Sequence, residues 1–279
     1  MGPKQALPVS EKVAMDIEGK RAVIVGGGSG LAKASAELLA KCGARVAILD
    51  LPGSAGAAVA ADIGAAAAFI PCDILDHEGT ESAVHDAARL LGGIDIAANV
   101  AGGGGGSPRR TIDATGPYPL ERFRHTIEAN IVASFNLSRL EALHMAKATP
   151  NADGERGVII NTSSIAAFGG PVGMVGYAAA KAGVAGLSQT MARDLAPYGI
   201  RVMAIAPSMF DTGILKDLDD GQKAALLTET LFPKRMGLPS DFALLVKAII
   251  ENPMLNGGTI RLDAGTRRAV KDDLGDQLF

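Results

Sequence analysis

The chain has 279 residues, 48% apolar and 20% charged, with a net charge of −3, enough to bury a sizeable core in one large α/β domain or two smaller ones. No basic footprint for nucleic acid is present, no run of about 18 apolar residues offers a membrane span, and residues 1–18 lack the apolar stretch of a secretion signal. Cys42 and Cys72 have neither pairing nor metal-ligand spacing, and His77, His85, His125 and His144 are scattered without a second ligand, so the expectation is a cytoplasmic protein without a metal site that acts on a small molecule.

From residue 21 onward, short apolar runs alternate with helical patterns. Ala22 to Val25 reads as a buried strand that runs into Gly26-Gly27-Gly28-Ser29-Gly30-Leu31-Ala32, where a helix over 29–42 begins. Glycine allows the tight turn and a close backbone approach, and the free N–H groups of a helix start suit a pyrophosphate. Val46 to Leu49 reads as the second strand and ends on Asp50, twenty residues after Gly30, where a carboxylate accepts from an adenosine ribose. The same charge repels the 2′-phosphate of NADP, and no Arg or Lys stands beside it, which favours NAD.

A helix over 54–63 precedes a strand at Ala67 to Ile70, and Asp73 follows at the edge where an adenine amino group is met. After a helix over 77–91, the strand Ile94 to Ala98 leads into Asn99-Val100-Ala101-Gly102, small enough for a cofactor to lie against the backbone. Taken singly, these residues also suit turns and caps. The insertion at 100–119 holds the glycine run Gly102 to Gly106 and then Arg109-Arg110. That Arg pair could meet the phosphates of coenzyme A, although such a pair is more often ordinary solvated loop charge.

A helix over 120–148 carries Asn130, and the strand Val158 to Ile160 precedes Ser164. The helix over 175–197 carries Tyr177 and, one turn on, Lys181. After the strand Val202 to Ala206 comes an insertion at 207–235 in which Met209, Phe210, Ile214, Leu215, Leu226, Leu227, Leu231 and Phe232 suit a lid over a hydrophobic substrate, or ordinary packing. A helix over 240–251 and the strand Thr259 to Leu262 complete the pattern. Strands apolar on both faces and joined through helices imply a doubly wound parallel α/β sheet of about seven strands, a Rossmann fold. One domain over 19–279 follows an extension at 1–18.

Tyr-x-x-x-Lys pairs arise by chance, and the pair becomes specific only with Ser164 thirteen residues before the Tyr and the nucleotide turn upstream. A phenol with an ordinary pKa near 10 is a poor base at neutral pH. Lys181 on the same helix face and a positive nicotinamide ring are expected to lower it. Tyr177 then takes the hydroxyl proton in oxidation and returns it in reduction, while Ser164 hydrogen-bonds the substrate oxygen.

These residues resemble the short-chain dehydrogenase/reductase family over residues 20–266, through the glycine turn, Asp50, Asp73, Asn99 to Gly102, Asn130, Ser164, Tyr177, Lys181 and the segment at Pro207. Within it, Leu49 to Pro52, Gly157 to Ser164, Ala166 to Phe168, Ala192 to Pro197, Ile249 to Pro253 and Ile260 to Asp263 resemble a subgroup of type II 3-hydroxyacyl-CoA dehydrogenases that also carries a hydroxysteroid dehydrogenase name. The resemblance implies NAD contacts at Gly26, Ser29, Gly30, Leu31, Asp50, Asp73, Ile74, Asn99, Val100, Ala101, Gly102, Tyr177, Lys181, Pro207, Phe210 and Thr212. It also implies Ser164, Tyr177, Lys181 and Asn130 as the catalytic set, with Lys181 on the nicotinamide ribose and Asn130 behind a water relay. The implied activity is NAD-dependent interconversion of a hydrophobic secondary alcohol, with a 3-hydroxyacyl-CoA as the leading expectation, and its ketone, by a homotetramer. A steroid or another secondary alcohol is the alternative substrate, and a non-catalytic NAD-binding assembly subunit is the competing class. Val25, Ala32, Val100 and Ser208 depart from the family pattern, and none of them removes a catalytic group.

Overall fold

The computed structural model describes residues 15–103, 106–213, 215 and 218–267. Most of the extension at 1–18, part of the glycine run (Gly104 and Gly105) and Ile214 of the expected lid therefore lie outside the described residues. The strands β1 (Arg21–Val25), β2 (Arg45–Asp50), β3 (Ala67–Pro71) and β4 (Ile96–Asn99) alternate with the helices α1 (Gly30–Lys41), α2 (Gly56–Ile63) and α3 (His77–Leu91). A small hairpin, β5 (Ile112–Asp113) and β6 (Gly116–Pro117), lies inside the first insertion. Then come α4 (Leu120–Ile127), α5 (Ala133–Met145), β7 (Gly157–Thr162), α6 (Val175–Leu195), β8 (Ile200–Pro207), α7 (Asp220–Leu226), α8 (Pro239–Glu251) and β9 (Thr259–Leu262).

Seven strands form one parallel sheet in the order β3-β2-β1-β4-β7-β8-β9. The order reverses at β1, which leaves a crevice above the carboxyl ends of β1 and β4, where open sheets of this kind bind ligands. Side chains alternate across the sheet. Ile24 and Ile48 join Leu39, Phe242 and Val246 in one core, and Val23 and Leu49 join Val84, Leu137 and Met191 in the other. Both faces of the sheet are therefore sealed by helices, which is why the strands read as unbroken apolar runs.

Local chemistry sets the element ends. Asp76 caps α3 by accepting from the Gly79 N–H at 3.0 Å, and Gly92 at φ +80° closes its other end. The helix expected over 120–148 is interrupted by a π turn at Glu128–Val132 between α4 and α5. The short α7, not expected from sequence, starts at a reciprocal cap: the Gln222 N–H donates to Asp219 Oδ1 at 2.8 Å, and Gln222 Oε1 accepts from the Asp219 N–H at 3.0 Å. Among the described residues no helix is long and apolar enough to cross a membrane.

Candidate active site

A cleft of about 500 Å³ opens at the crevice. Gly26 sits at φ +85°, and a Cβ there would lie 3.0 Å from the Ala101 nitrogen, so the turn passes against the β4 end only without a side chain. α1 starts at Gly30 with no acid in its first turn and no side-chain cap from Ser29, leaving free N–H donors and the positive end of the helix dipole at the cleft. Asp50 accepts from the Gly28 N–H at 2.8 Å and the Leu51 N–H at 2.7 Å, which fixes the carboxylate and leaves each oxygen further acceptor capacity. Leu31, Asp73, Ile74, Val100, Gly102 and Thr212 also line the cleft, and none of its described lining residues is Arg or Lys. A glycine cradle, an uncapped helix start and a fixed carboxylate fit a dinucleotide without a 2′-phosphate.

At the other end, Ser164 starts a 3-10 turn at Ile165–Ala167 and accepts from the Ala166 N–H at 3.2 Å. Its hydroxyl also acts on Tyr177, a half-buried residue of α6. Lys181 donates to the Thr162 carbonyl at 2.9 Å, with Nζ 5.7 Å from the Tyr177 ring centroid. The ammonium therefore faces the ring and a carbonyl. Burial raises the Tyr177 pKa, against a lowering by Ser164, and it lowers that of Lys181 to about 8. The lowering expected from Lys181 together with a positive nicotinamide ring is absent in the free protein, where desolvation of the phenolate outweighs the effect of Ser164.

Asn130 lies inside the π turn and donates to the Thr126 carbonyl at 2.8 Å and the Gly103 carbonyl at 3.0 Å. Its buried Oδ1 has no protein partner. Gly102 sits at φ +150°, and a Cβ there would lie 2.7 Å from Asn130 Oδ1 and 3.4 Å from Lys181 Nζ. The β4 end, the π turn and α6 therefore converge on one small volume. Gly183 on α6 permits this, since a Cβ at that position would meet Ile131 Cδ1 of the π turn at 2.3 Å.

Several expected contacts lie elsewhere. The Asn99 side chain is in the core, 2.9 Å from Glu141 and 3.1 Å from Asn161. Pro207 is buried at the end of β8. Phe210 is buried edge-on to Phe242, with a ring-centroid distance of 6.4 Å, and faces a separate hollow with Arg235 and Asp241. Arg109 pairs with Asp113 at 3.0 Å and bonds Thr115 at 2.8 Å, closing the β5–β6 hairpin. In the expected lid, Leu231 and Phe232 are 68% and 82% exposed, and their N–H groups are tied to the Ala264 carbonyl. Cys72, Leu75, Gly103 and Gly213 line the cleft without having been read from sequence, and the Thr162 acceptor is a backbone carbonyl that no residue type announces.

A fully buried lysine carries a stability cost. Its pKa of about 8 lies below the unfolded value of 10.5, so the unfolded chain binds more protons between those values and stability rises with pH across that window. Lys181→Met is expected to raise the stability of the free protein at pH 7 by about 1–3 kcal/mol while removing activity. Urea denaturation at pH 7 and pH 10 checks it, and the gap between variant and wild type should narrow at the higher pH.

Residues 20–223 match the family model described as short chain dehydrogenase. A Bos taurus 3-hydroxyacyl-CoA dehydrogenase type-2 is 43% identical over 251 residues, 90% of this chain and 96% of its own. The crystal structure of 3-hydroxyacyl-CoA dehydrogenase type-2 from Mycobacterium avium aligns with a TM-score of 0.87 at 35% identity, covering 91% of this chain and 98% of that one. A 7α-hydroxysteroid dehydrogenase complexed with NADH and 7-oxo glycochenodeoxycholic acid aligns with a TM-score of 0.81 at 30% identity, covering 91% and 97%.

Proposed function

The chain belongs to the short-chain dehydrogenase family of oxidoreductases, and from that premise we propose that it moves hydride between NAD and a hydrophobic secondary alcohol or its ketone, with a 3-hydroxyacyl-CoA as the substrate class. The observation that carries this reading is the convergence of Ser164, Tyr177, Lys181 and Asn130 beside a cleft whose far end holds Asp50. A bound nicotinamide supplies the hydride chemistry. Asp50 accepts from the adenosine ribose, the turn at Gly26 to Leu31 holds the pyrophosphate, and Asp73, Ile74 and Val100 to Gly102 bound the adenine and ribose. Ser164 orients the substrate oxygen and Tyr177 exchanges its proton. Lys181 and a water relay, held by the unpartnered Oδ1 of Asn130 as acceptor, lead that proton outward.

The thioester follows from the Bos taurus and Mycobacterium avium relatives, and a steroid alcohol is a second reading supported by the hydroxysteroid dehydrogenase neighbour. A non-catalytic NAD-binding subunit would have no chemical need for four converging groups. Assembly as a homotetramer and a cytoplasmic location belong to the same reading.

Acetoacetyl-CoA and a panel of oxo-steroids, each with NADH or NADPH, test the proposal by the absorbance of the reduced cofactor. NADH is expected to exceed NADPH in kcat/KM by at least about tenfold, and Asp50→Ala to narrow that gap, because the carboxylate that repels a 2′-phosphate is gone. Turnover of no ketone in the panel would overturn the enzymatic reading. Equal use of both cofactors would overturn the assignment of NAD.

A further inference from the structure

We infer that Glu141, a residue outside the catalytic cluster, is a positioning residue that fixes the β4 and β7 ends against α6 and so sets the geometry of the proton-handling groups. The inference rests on the reading of Ser164, Tyr177 and Lys181 given above.

The starting point is a buried polar chain beneath the sheet's carboxyl end. Asn99, Ser138, Glu141, Asn161 and Ser188 are each no more than 2% exposed. Ser188 Oγ donates to the Val184 carbonyl at 2.8 Å and therefore accepts from Asn161 Nδ2 at 3.1 Å. That turns Asn161 Oδ1 toward Ser138 Oγ and Asn99 Nδ2, both donating to it at 3.1 Å. Asn99 is thereby fixed with its amide nitrogen inward, and its remaining proton goes to Glu141 Oε2 at 2.9 Å. Every direction in the chain follows from the Val184 carbonyl, and Glu141 is the acceptor that closes it.

The chain spans the elements on which the site is built. Asn99 and Asn161 are register partners on β4 and β7. Immediately after Asn99 come Val100 to Gly102. Immediately after Asn161 come Thr162, whose carbonyl holds Lys181, then Ser163, whose Oγ donates to the Lys181 carbonyl at 2.8 Å, then Ser164. Ser188 lies on the helix that carries Tyr177 and Lys181, and Glu141 and Ser138 on the helix that continues the π turn of Asn130. A loss of register here moves all four groups relative to one another.

A carboxyl at this position is costly. Glu141 Oε1 has no partner, and burial pushes the pKa up to about 7, against a lowering by the Asn99 donor. Hydrocarbon would pack there without that cost, whereas only an acceptor satisfies Asn99.

The test measures kinetics, NADH affinity, unfolding midpoint and site-resolved hydrogen exchange on the full chain. Glu141→Leu is expected to lower kcat by at least about tenfold with KM and the NADH Kd within about threefold, because sub-ångström displacement of reacting groups acts on the transition state. Its unfolding midpoint should not fall, and exchange at residues 100–102 and 162–164 should rise by about tenfold or more. Glu141→Gln, which restores the acceptor, should recover most of both losses. A leucine variant with wild-type kcat and unchanged exchange at the two strand ends overturns the inference, as does a kcat that falls only in step with lost folded protein. If the leucine variant does not fold, Ser188→Ala opens the chain at its other end and is expected to act in the same direction. Absence of any wild-type turnover would defeat the proposed function, and exchange would still decide the role of Glu141.

Discussion

Tyr177→Phe is expected to bind NADH with a Kd within about tenfold of the wild type, since one hydrogen bond is lost, and to lose about 10²–10⁴ in kcat. The ring stays, so the face toward Lys181 survives. What goes is the one hydroxyl whose pKa Ser164 holds down. Burial raises the phenol pKa, so the protonated form prevails at neutral pH and ketone reduction finds its proton in place. Alcohol oxidation needs the phenolate and should quicken as pH rises, whereas reduction should slow once the phenol ionises. Parallel pH–rate profiles in the two directions, with NADH titrations on the same preparations, check both parts. Retained turnover in the phenylalanine variant would sink the mechanism.

The sequence was most legible where one physical rule acted alone. Strands buried on both faces must be apolar throughout, and all seven strands of the sheet were read from that. The glycine turn and Asp50 were legible because backbone approach and ribose recognition demand those residue types. The Asn99 side chain lies in the core, whereas the expected cofactor contact at Asn99 to Gly102 is with the backbone. Alternation along β4 places that side chain on the same side as Ala97, which belongs to the core under α3, α5 and α6, so the strand period already directed it away from the cleft. Arg109 follows the loop-charge reading of its pair, with a partner four residues away across a hairpin that the glycine-rich loop does not announce. Phe210 was placed by family pattern at the cofactor, and only packing against Phe242 and Gly237 turns it into the core. The π turn had no compositional signal, since the residues around Asn130 suit an uninterrupted helix, and it lies where Ile131 meets Gly183 of α6. Asp219 and Gln222 did carry a signal, a cap spacing that marks the start of α7.

Arg201→Ala is expected to lower stability by about 3–5 kcal/mol, on the order of 10 °C in unfolding midpoint for a chain of this size. The guanidinium donates to Glu155 Oε1 at 2.7 Å and to the carbonyls of Ile249 at 2.8 Å, Ile250 at 2.9 Å, Asn252 at 3.2 Å and Leu255 at 2.9 Å. The α8 helix has no basic residue in its own last turn, so Arg201 satisfies its final carbonyls and sets a cation at its negative end from another element. Both members of the ion pair are 8% exposed in their side chains, and removing the Arg strands a buried carboxylate together with those carbonyls. Arg201→Lys should recover little, because one ammonium cannot match a planar fork directed at several acceptors. Urea denaturation of both variants measures the loss, and a change under 1 kcal/mol, at the level of an exposed pair, would refute the assignment. Arg201 stands near the amino end of β8, whereas the cleft opens above the carboxyl ends of the sheet. Turnover per folded molecule, assayed well below the lowered midpoint, should therefore remain close to wild type. Tyr177→Phe predicts the reverse pattern, with stability kept and turnover lost, so the two variants together separate what holds the sheet from what the sheet holds in place.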